Sequence, residues 1–310
     1  MAYVNQTPWH GIGAKMEAGK GIDEWRRAAG MDWFAEEGPV YIETPDCMLE
    51  IPNTKGLFRS DNKMVLATVS KNYKSFQPSE VLETFREYVE DLGMFEMETA
   101  GVLDEGRKVW ALARSTDAGS DIDAGGGDRV NRYLLLATSF DRSLASIAMQ
   151  TSVRVVCQNT LSAALGGQRG WVKIRHSAKV NAAVIKQRLM LNEQWAEFAG
   201  IVRKLSAIRV AEDKAREMLT VVAKDCLKPR TEDGLKDHVD ELMGYYRTSP
   251  GAELASSKDT AWGLVNAVTF YTDHKATVRK ENNSRRLEKA WFGTNAGMKA
   301  KITEMALALA

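Results

Sequence analysis

The residues best placed to do chemistry lie in one stretch, Met149 to Gly167. Within it, Val153-Arg154-Val155-Val156-Cys157-Gln158-Asn159-Thr160-Leu161 mixes an apolar face with an arginine, two amides and a hydroxyl. Arg154 between two valines needs an anion, either a protein carboxylate or a phosphate. Gln158, Asn159 and Thr160 either cap and satisfy backbone groups or read a polar ligand. Other chemistries are poorly supported. His10, His176, His238 and His274 share no metal-ligand spacing, and Cys47, Cys157 and Cys226 stand far apart. There is no nucleophile elbow and no phosphate-binding glycine loop, so neither a catalytic set, a metal nor a cofactor is expected.

Basic surface is the stronger signal. The net charge of +1 conceals a balance of −9 over residues 1–127 and +10 over residues 128–310. In the second part, Arg169, Lys173, Arg175 and Lys179 alternate with Trp171, Ile174 and Val180. Lys71-Asn72-Tyr73-Lys74-Ser75-Phe76 is a basic and aromatic loop, and Arg132 and Arg142 flank a strand. Cations beside rings suit a single-stranded nucleic acid, with charge for phosphates and ring faces for bases. The alternative is that the basic half pairs with the acidic half of a neighbouring subunit.

The elements that position these residues follow from periodicity. The first 38 residues read as an irregular arm with a helix near Ile22–Ala29, held down by Trp9, Trp25 and Trp33. Strands are expected at 40–42, 48–51 and 64–69. A helix follows, N-capped by Ser79, with Val81, Leu82, Phe85, Val89 and Leu92 on one face and a stop at Gly93. A hairpin joins 95–103 to 108–113, further strands cover 132–138 and 144–149, and the Arg154 stretch is predicted to be a helix over 152–165. A last strand is placed at 171–174. Beyond it the chain turns helical: a long helix within 178–228 with a seam at Leu191, Trp195, Phe198, Val202 and Leu205, then helices at 233–246, 258–274 and 296–309. The fold class is α+β, an antiparallel sheet with packed helices followed by a helical region. The expected divisions are an arm (1–38), a core domain (39–170) and a helical part (171–310). With 44% apolar residues, no long apolar run and no leader-like start, a cytoplasmic chain with no membrane contact is expected.

Five strings resemble the phage and plasmid family of unknown function DUF932: Thr7–Gly13, Thr138–Ser143, Val153–Leu161, Trp262–Thr269 and Trp291–Thr294. That resemblance implies a protein of phages, prophages and plasmids, and no particular chemistry. The order helix, three strands, helix also resembles the β-β-β-α core of single-strand annealing proteins of the Rad fifty-two type. There the strands and the following helix line a basic groove for single-stranded DNA. That helix carries a Lys-Arg pair in the family, and Arg154 with Gln158 and Asn159 here. The resemblance implies a non-enzymatic, ring- or filament-forming homo-oligomer that binds and anneals single-stranded DNA. Arg154, Gln158, Asn159, Lys71, Lys74, Arg132, Arg142, Lys173 and Arg175 would contact DNA, and Tyr73 or Phe76 would stack on a base. The rival reading is a counter-defence or regulatory protein that captures a host protein.

Overall fold

The computed structural model describes residues 1–4, 13–17, 19–75, 77–156, 159–162, 171–173, 191–276 and 283–309. The chain forms two compact units. Unit 1 comprises Met1–Ala113, Leu135–Ala148 and Lys173–Ala183; unit 2 comprises Arg114–Leu134, Met149–Val172 and Val184–Ala310. Together the elements make a mixed α+β protein, with antiparallel-dominated sheets first and several helices after them.

Two sheets are present among the described residues. One has three strands in the order β3 (Ala35–Glu43), β4 (Met48–Arg59), β5 (Val65–Ser70), all antiparallel. The other runs β11 (Thr160–Ser162), β10 (Ile147–Arg154), β9 (Arg129–Ser139), β7 (Lys108–Ser115), β6 (Phe95–Leu103), β1 (Ala2–Tyr3), β2 (Ala14–Lys15). Two short strands branch from it: β8 (Ile122–Asp123) pairs with β9, and β12 (Trp171–Lys173) pairs with β10.

In unit 1, α1 (Ile22–Ala28) and α2 (Pro78–Leu92) pack together, and α2 covers β6. The expected stripe of α2 is all buried. Its start differs from expectation. Gln77, not Ser79, is the N-cap, because Pro78 takes the first helical position, where its missing N–H costs nothing. The Gln77 amide N–H donates to Glu80 (2.8 Å), and its side chain bonds the Ala35 backbone in β3. Gly93 ends the helix in the left-handed conformation (φ 64°). Trp25 and Trp33 are buried, as the arm's aromatic content required, and Trp9 lies outside the described residues.

The region predicted to be a helix over 152–165 is a correction. Residues 147–154 continue as β10, the chain turns at Val155-Val156, and β11 returns antiparallel with Val153 opposite Thr160. β-branched residues at 151, 153, 155, 156 and 160 favour extended backbone, and Asn159 suits a turn. The last helix of the β-β-β-α order is therefore absent at residues 152–156 and 159–162.

Unit 2 packs α3 (Leu191–Ala207), α4 (Glu212–Val222), α5 (Glu232–Thr248), α6 (Ala261–Phe270) and α8 (Thr294–Leu307) around one core, and α7 (Asn283–Phe292) packs against α8. The heptad-like seam holds: Trp195, Phe198, Val202 and Leu205 are buried. The expected long helix is broken at 208–211. There the Val210 N–H donates to Asp259 O, and the Ala261 N–H to Ile208 O. A bridge to a neighbouring segment thus replaces helical bonds without any Gly or Pro. α6 starts at Thr260, whose hydroxyl accepts from the Gly263 N–H. Gly263 is required there, since a Cβ would meet Ser257 O at 1.9 Å. α7 was not foreseen.

Candidate functional site

Arg154, Asn159 and Thr160 of that string are buried in unit 2. Arg154 is 2% exposed. Its Nε and Nη2 donate to the two oxygens of Asp128 at 2.7 and 2.8 Å, a bidentate pair. Nη2 also donates to Ser257 Oγ (2.7 Å) and Gly251 O (3.1 Å). Asp128 accepts two further bonds, from Ser256 Oγ (2.7 Å) and Trp262 Nε1 (3.2 Å). Gly251 (φ 80°) allows this closeness, because a Cβ would lie 3.0 Å from Nη2 and 2.5 Å from Val156. A buried pair this well bonded holds the β10 end against the segment before α6.

Two neighbouring contacts extend the network. Asn159 Nδ2 donates to the backbone and side-chain oxygens of Asn266 at 3.0 and 3.2 Å. The Thr160 N–H and hydroxyl both donate to Asp273 (2.8 and 2.9 Å), and the Lys299 ammonium pairs with Asp273 and donates to Thr160 O. Burial lowers the Lys299 pKa, and the Asp273 charge and hydrogen bond offset only part of this. Arg132 is a third buried cation: Nε donates to Gln150 (3.0 Å), Nη1 to Asn192 (3.2 Å), and the guanidinium lies 5.5 Å from the Trp195 ring centre. Desolvation pulls Arg132 down to about 10, although Asp117 works the other way.

The expected groove residues therefore separate. Arg154, Asn159 and Arg132 are buried and bonded to protein groups, which corrects their placement on a DNA-facing surface. The anion that Arg154 needed is Asp128. Gln158, Arg175 and Phe76 lie outside the described residues. Lys173 is exposed on β12.

The remaining four lie in unit 1, three on the loop after β5 and Arg142 on the turn after β9. Lys71, Lys74 and Arg142 are exposed and Tyr73 is half-buried. Burial raises the Tyr73 phenol, and the nearby Arg142 charge opposes that rise, so the turn after β9 lies beside the loop after β5. Arg142 has φ 64°, in the turn Asp141-Arg142-Ser143. Burial disfavours the charged form of Asp141. Bonds from the Ser143 hydroxyl and N–H and the charge of Lys108 outweigh this and hold its carboxyl below the ordinary range. The turn is thereby fixed and Arg142 left outward.

Among the described residues no cluster of three His, Cys, Asp or Glu side chains could hold a metal ion, and no helix is long and apolar enough to cross a membrane. Asp128, Ser257, Asp273 and Lys299 were missed in the sequence. Only the requirement of Arg154 for an anion pointed toward Asp128.

Fold and site define an α+β protein whose second unit is organised by buried ion pairs. The model of the domain of unknown function DUF932 matches residues 65–291, and the chain belongs to that family. No curated protein and no solved structure matches it. Two strings that carried the family resemblance, Val153–Leu161 and Trp262–Thr269, meet in space: Asp128 bridges Arg154 to Trp262, and Asn159 bonds Asn266.

Proposed function

We propose that the protein binds single-stranded DNA without catalysing a reaction, as a homo-oligomer of a phage or plasmid working in the cytoplasm, and that annealing follows from holding the strand extended. The binding surface is the pair of adjacent loops in unit 1. Lys71, Lys74 and Arg142 neutralise phosphates and Tyr73 stacks on a base. The observation that carries this reading is that the turn of Arg142, fixed by its own hydrogen bonds, lies beside Tyr73, whose own loop also exposes Lys71 and Lys74. Arg154, Arg132 and Asn159 support the surface only indirectly, through the stability of unit 2.

The test is fluorescence anisotropy of a labelled oligonucleotide across a salt series. Three neutralised phosphates give a log–log salt slope near about −2 for a single strand. Combining Lys71→Glu, Lys74→Glu and Arg142→Glu should abolish binding, and Tyr73→Ala should weaken it by about 1–3 kcal/mol. Undiminished affinity in the triple variant excludes this surface. An oligonucleotide that fails to bind, together with tight capture of a host protein, favours the rival reading.

A further inference from the structure

The loop surface leaves one large apolar feature unexplained. β3 and β4 run on beyond the reach of β5, which pairs only with Thr54–Phe58. What remains is a two-stranded arm over residues 40–53, with Tyr41 opposite Glu50, Ile42 opposite Leu49 and Glu43 opposite Met48. Its large side chains face water: Tyr41 is 47% exposed, Ile42 54%, Met48 59% and Leu49 52%. Ile42 and Leu49 share one face, Tyr41 and Met48 the other. A lone two-stranded ribbon is marginally stable in water, so exposed apolar groups on both faces call for a cover.

Charge indicates what that cover is. The arm carries Glu43, Asp46 and Glu50, and no Lys or Arg between residues 40 and 53. Two like-charged arms would repel, so the partner surface is cationic. Strand addition is disfavoured as well, because Pro39 at the base of the arm in β3 and Pro52 in β4 lack amide donors. That leaves the arm's faces as its contact surface. A matching surface exists in the same chain. On α7, Arg285 and Lys289 are exposed four residues apart on one helix face, with Arg286, Glu288 and Phe292 half-buried beside them, so the surface keeps a net positive charge.

We infer that the acidic apolar arm of one copy docks on the cationic face of α7 in a second copy. Acid meets base and unlike surfaces meet, so the contact is head-to-tail and generates a ring or an open filament. It names the contact behind the self-association in the proposed function and is independent of the DNA surface. A monomer with intact loops would still bind a short oligonucleotide, so the two claims fail separately.

Sedimentation velocity of the full chain at rising micromolar concentrations provides the test. The wild type should assemble. Tyr41→Ser with Met48→Ser, on the arm face that also carries Glu43 and Glu50, should abolish assembly. Glu43→Lys with Glu50→Lys, or Arg285→Glu with Lys289→Glu, should weaken it about tenfold or more. Both reversals in one chain should restore association, which a folding defect cannot do. A wild type that stays monomeric, arm variants that assemble normally, or reversals that fail to rescue would each overturn the inference. A benzophenone–maleimide probe on the exposed Cys47, in a mixture of light and heavy chains lacking the other cysteines, locates the contact. Light-to-heavy crosslinks into residues 283–292 support it, and crosslinks confined to one chain contradict it.

Discussion

Arg154 and Arg142 are twelve residues apart in sequence and do opposite work. In unit 2, Arg154 is sealed in and divides its donors among Asp128, Ser257 and Gly251. In unit 1, Arg142 stands outward on a turn that Ser143 and Asp141 hold rigid. Residue type alone does not set the role of a cation. The difference lies in whether a carboxylate from a distant segment reaches it. Unit 2 buries Arg132, Arg154 and Lys299 in its own interior, whereas the unit 1 loops leave Lys71, Lys74 and Arg142 exposed.

Substitutions can break this contrast, and the largest effect belongs to unit 2. Asp128→Ala leaves a buried guanidinium without its carboxylate and should cost about 3–5 kcal/mol. Urea titration followed by tryptophan fluorescence measures it. Replacing both partners, Asp128→Leu with Arg154→Met, should recover much of the loss, because no uncompensated charge then remains. Arg154→Glu places two carboxylates together and should unfold unit 2 rather than selectively remove DNA binding.

Glycines sharpen the contrast further. Gly263→Ala drives a Cβ into the Ser257 carbonyl, where only backbone movement can give way, and should cost about 1–3 kcal/mol or more. Gly93→Ala in unit 1 makes only an ordinary contact with the Glu90 carbonyl oxygen (3.9 Å) and carries the left-handed backbone penalty, about 1 kcal/mol. Thermal melts of the two variants should rank them in that order.

Alkali should act more strongly on unit 2. Burial pushes Tyr245 and Tyr246 there, and Tyr88 in unit 1, up to about 12. Their neutral forms are favoured in the folded state. The stability they contribute is complete below the unfolded value of 10.0 and is lost as pH rises toward 12. Lys299 works in the opposite sense. Its folded pKa lies below 10.5, so stability from that group rises as pH approaches 10.5. Denaturant midpoints between pH 8 and 12 should therefore fall overall, and Lys299→Met should make the fall begin earlier. The smallest effect is expected at the loops: Lys71→Glu, Lys74→Glu and Arg142→Glu should each change stability by less than about 0.5 kcal/mol.

Much of this architecture was legible in the sequence. The α2 stripe, the β6–β7 hairpin and the Trp195–Leu205 seam follow from periodicity and glycine placement, which are local signals. The Arg154 stretch was not legible. Its polar and apolar residues fit a helical face as well as a tight hairpin, and only pairing with β9 and β12 decides between them. Asp128 and Lys299 were hidden for a related reason: their partners lie 26 and 139 residues away. Such contacts leave no pattern in a window of a dozen residues. The exposure of Lys71 and Lys74 was recoverable, because a loop between a strand and a proline-led helix lies at the surface, and that of Arg142 because it sits in a turn between two strands.

The central claim is that unit 2 keeps Arg132, Arg154 and Lys299 for itself while the unit 1 loops offer Lys71, Lys74 and Arg142 to DNA. Hydrogen exchange of the full chain, with and without a saturating single-stranded oligonucleotide, tests it directly. Protection should rise in peptides covering 70–75 and 139–146 and stay unchanged in those covering 128–132, 150–156 and 256–275. DNA-induced protection centred on Arg154 and Asn159, with none at the unit 1 loops, would contradict the account.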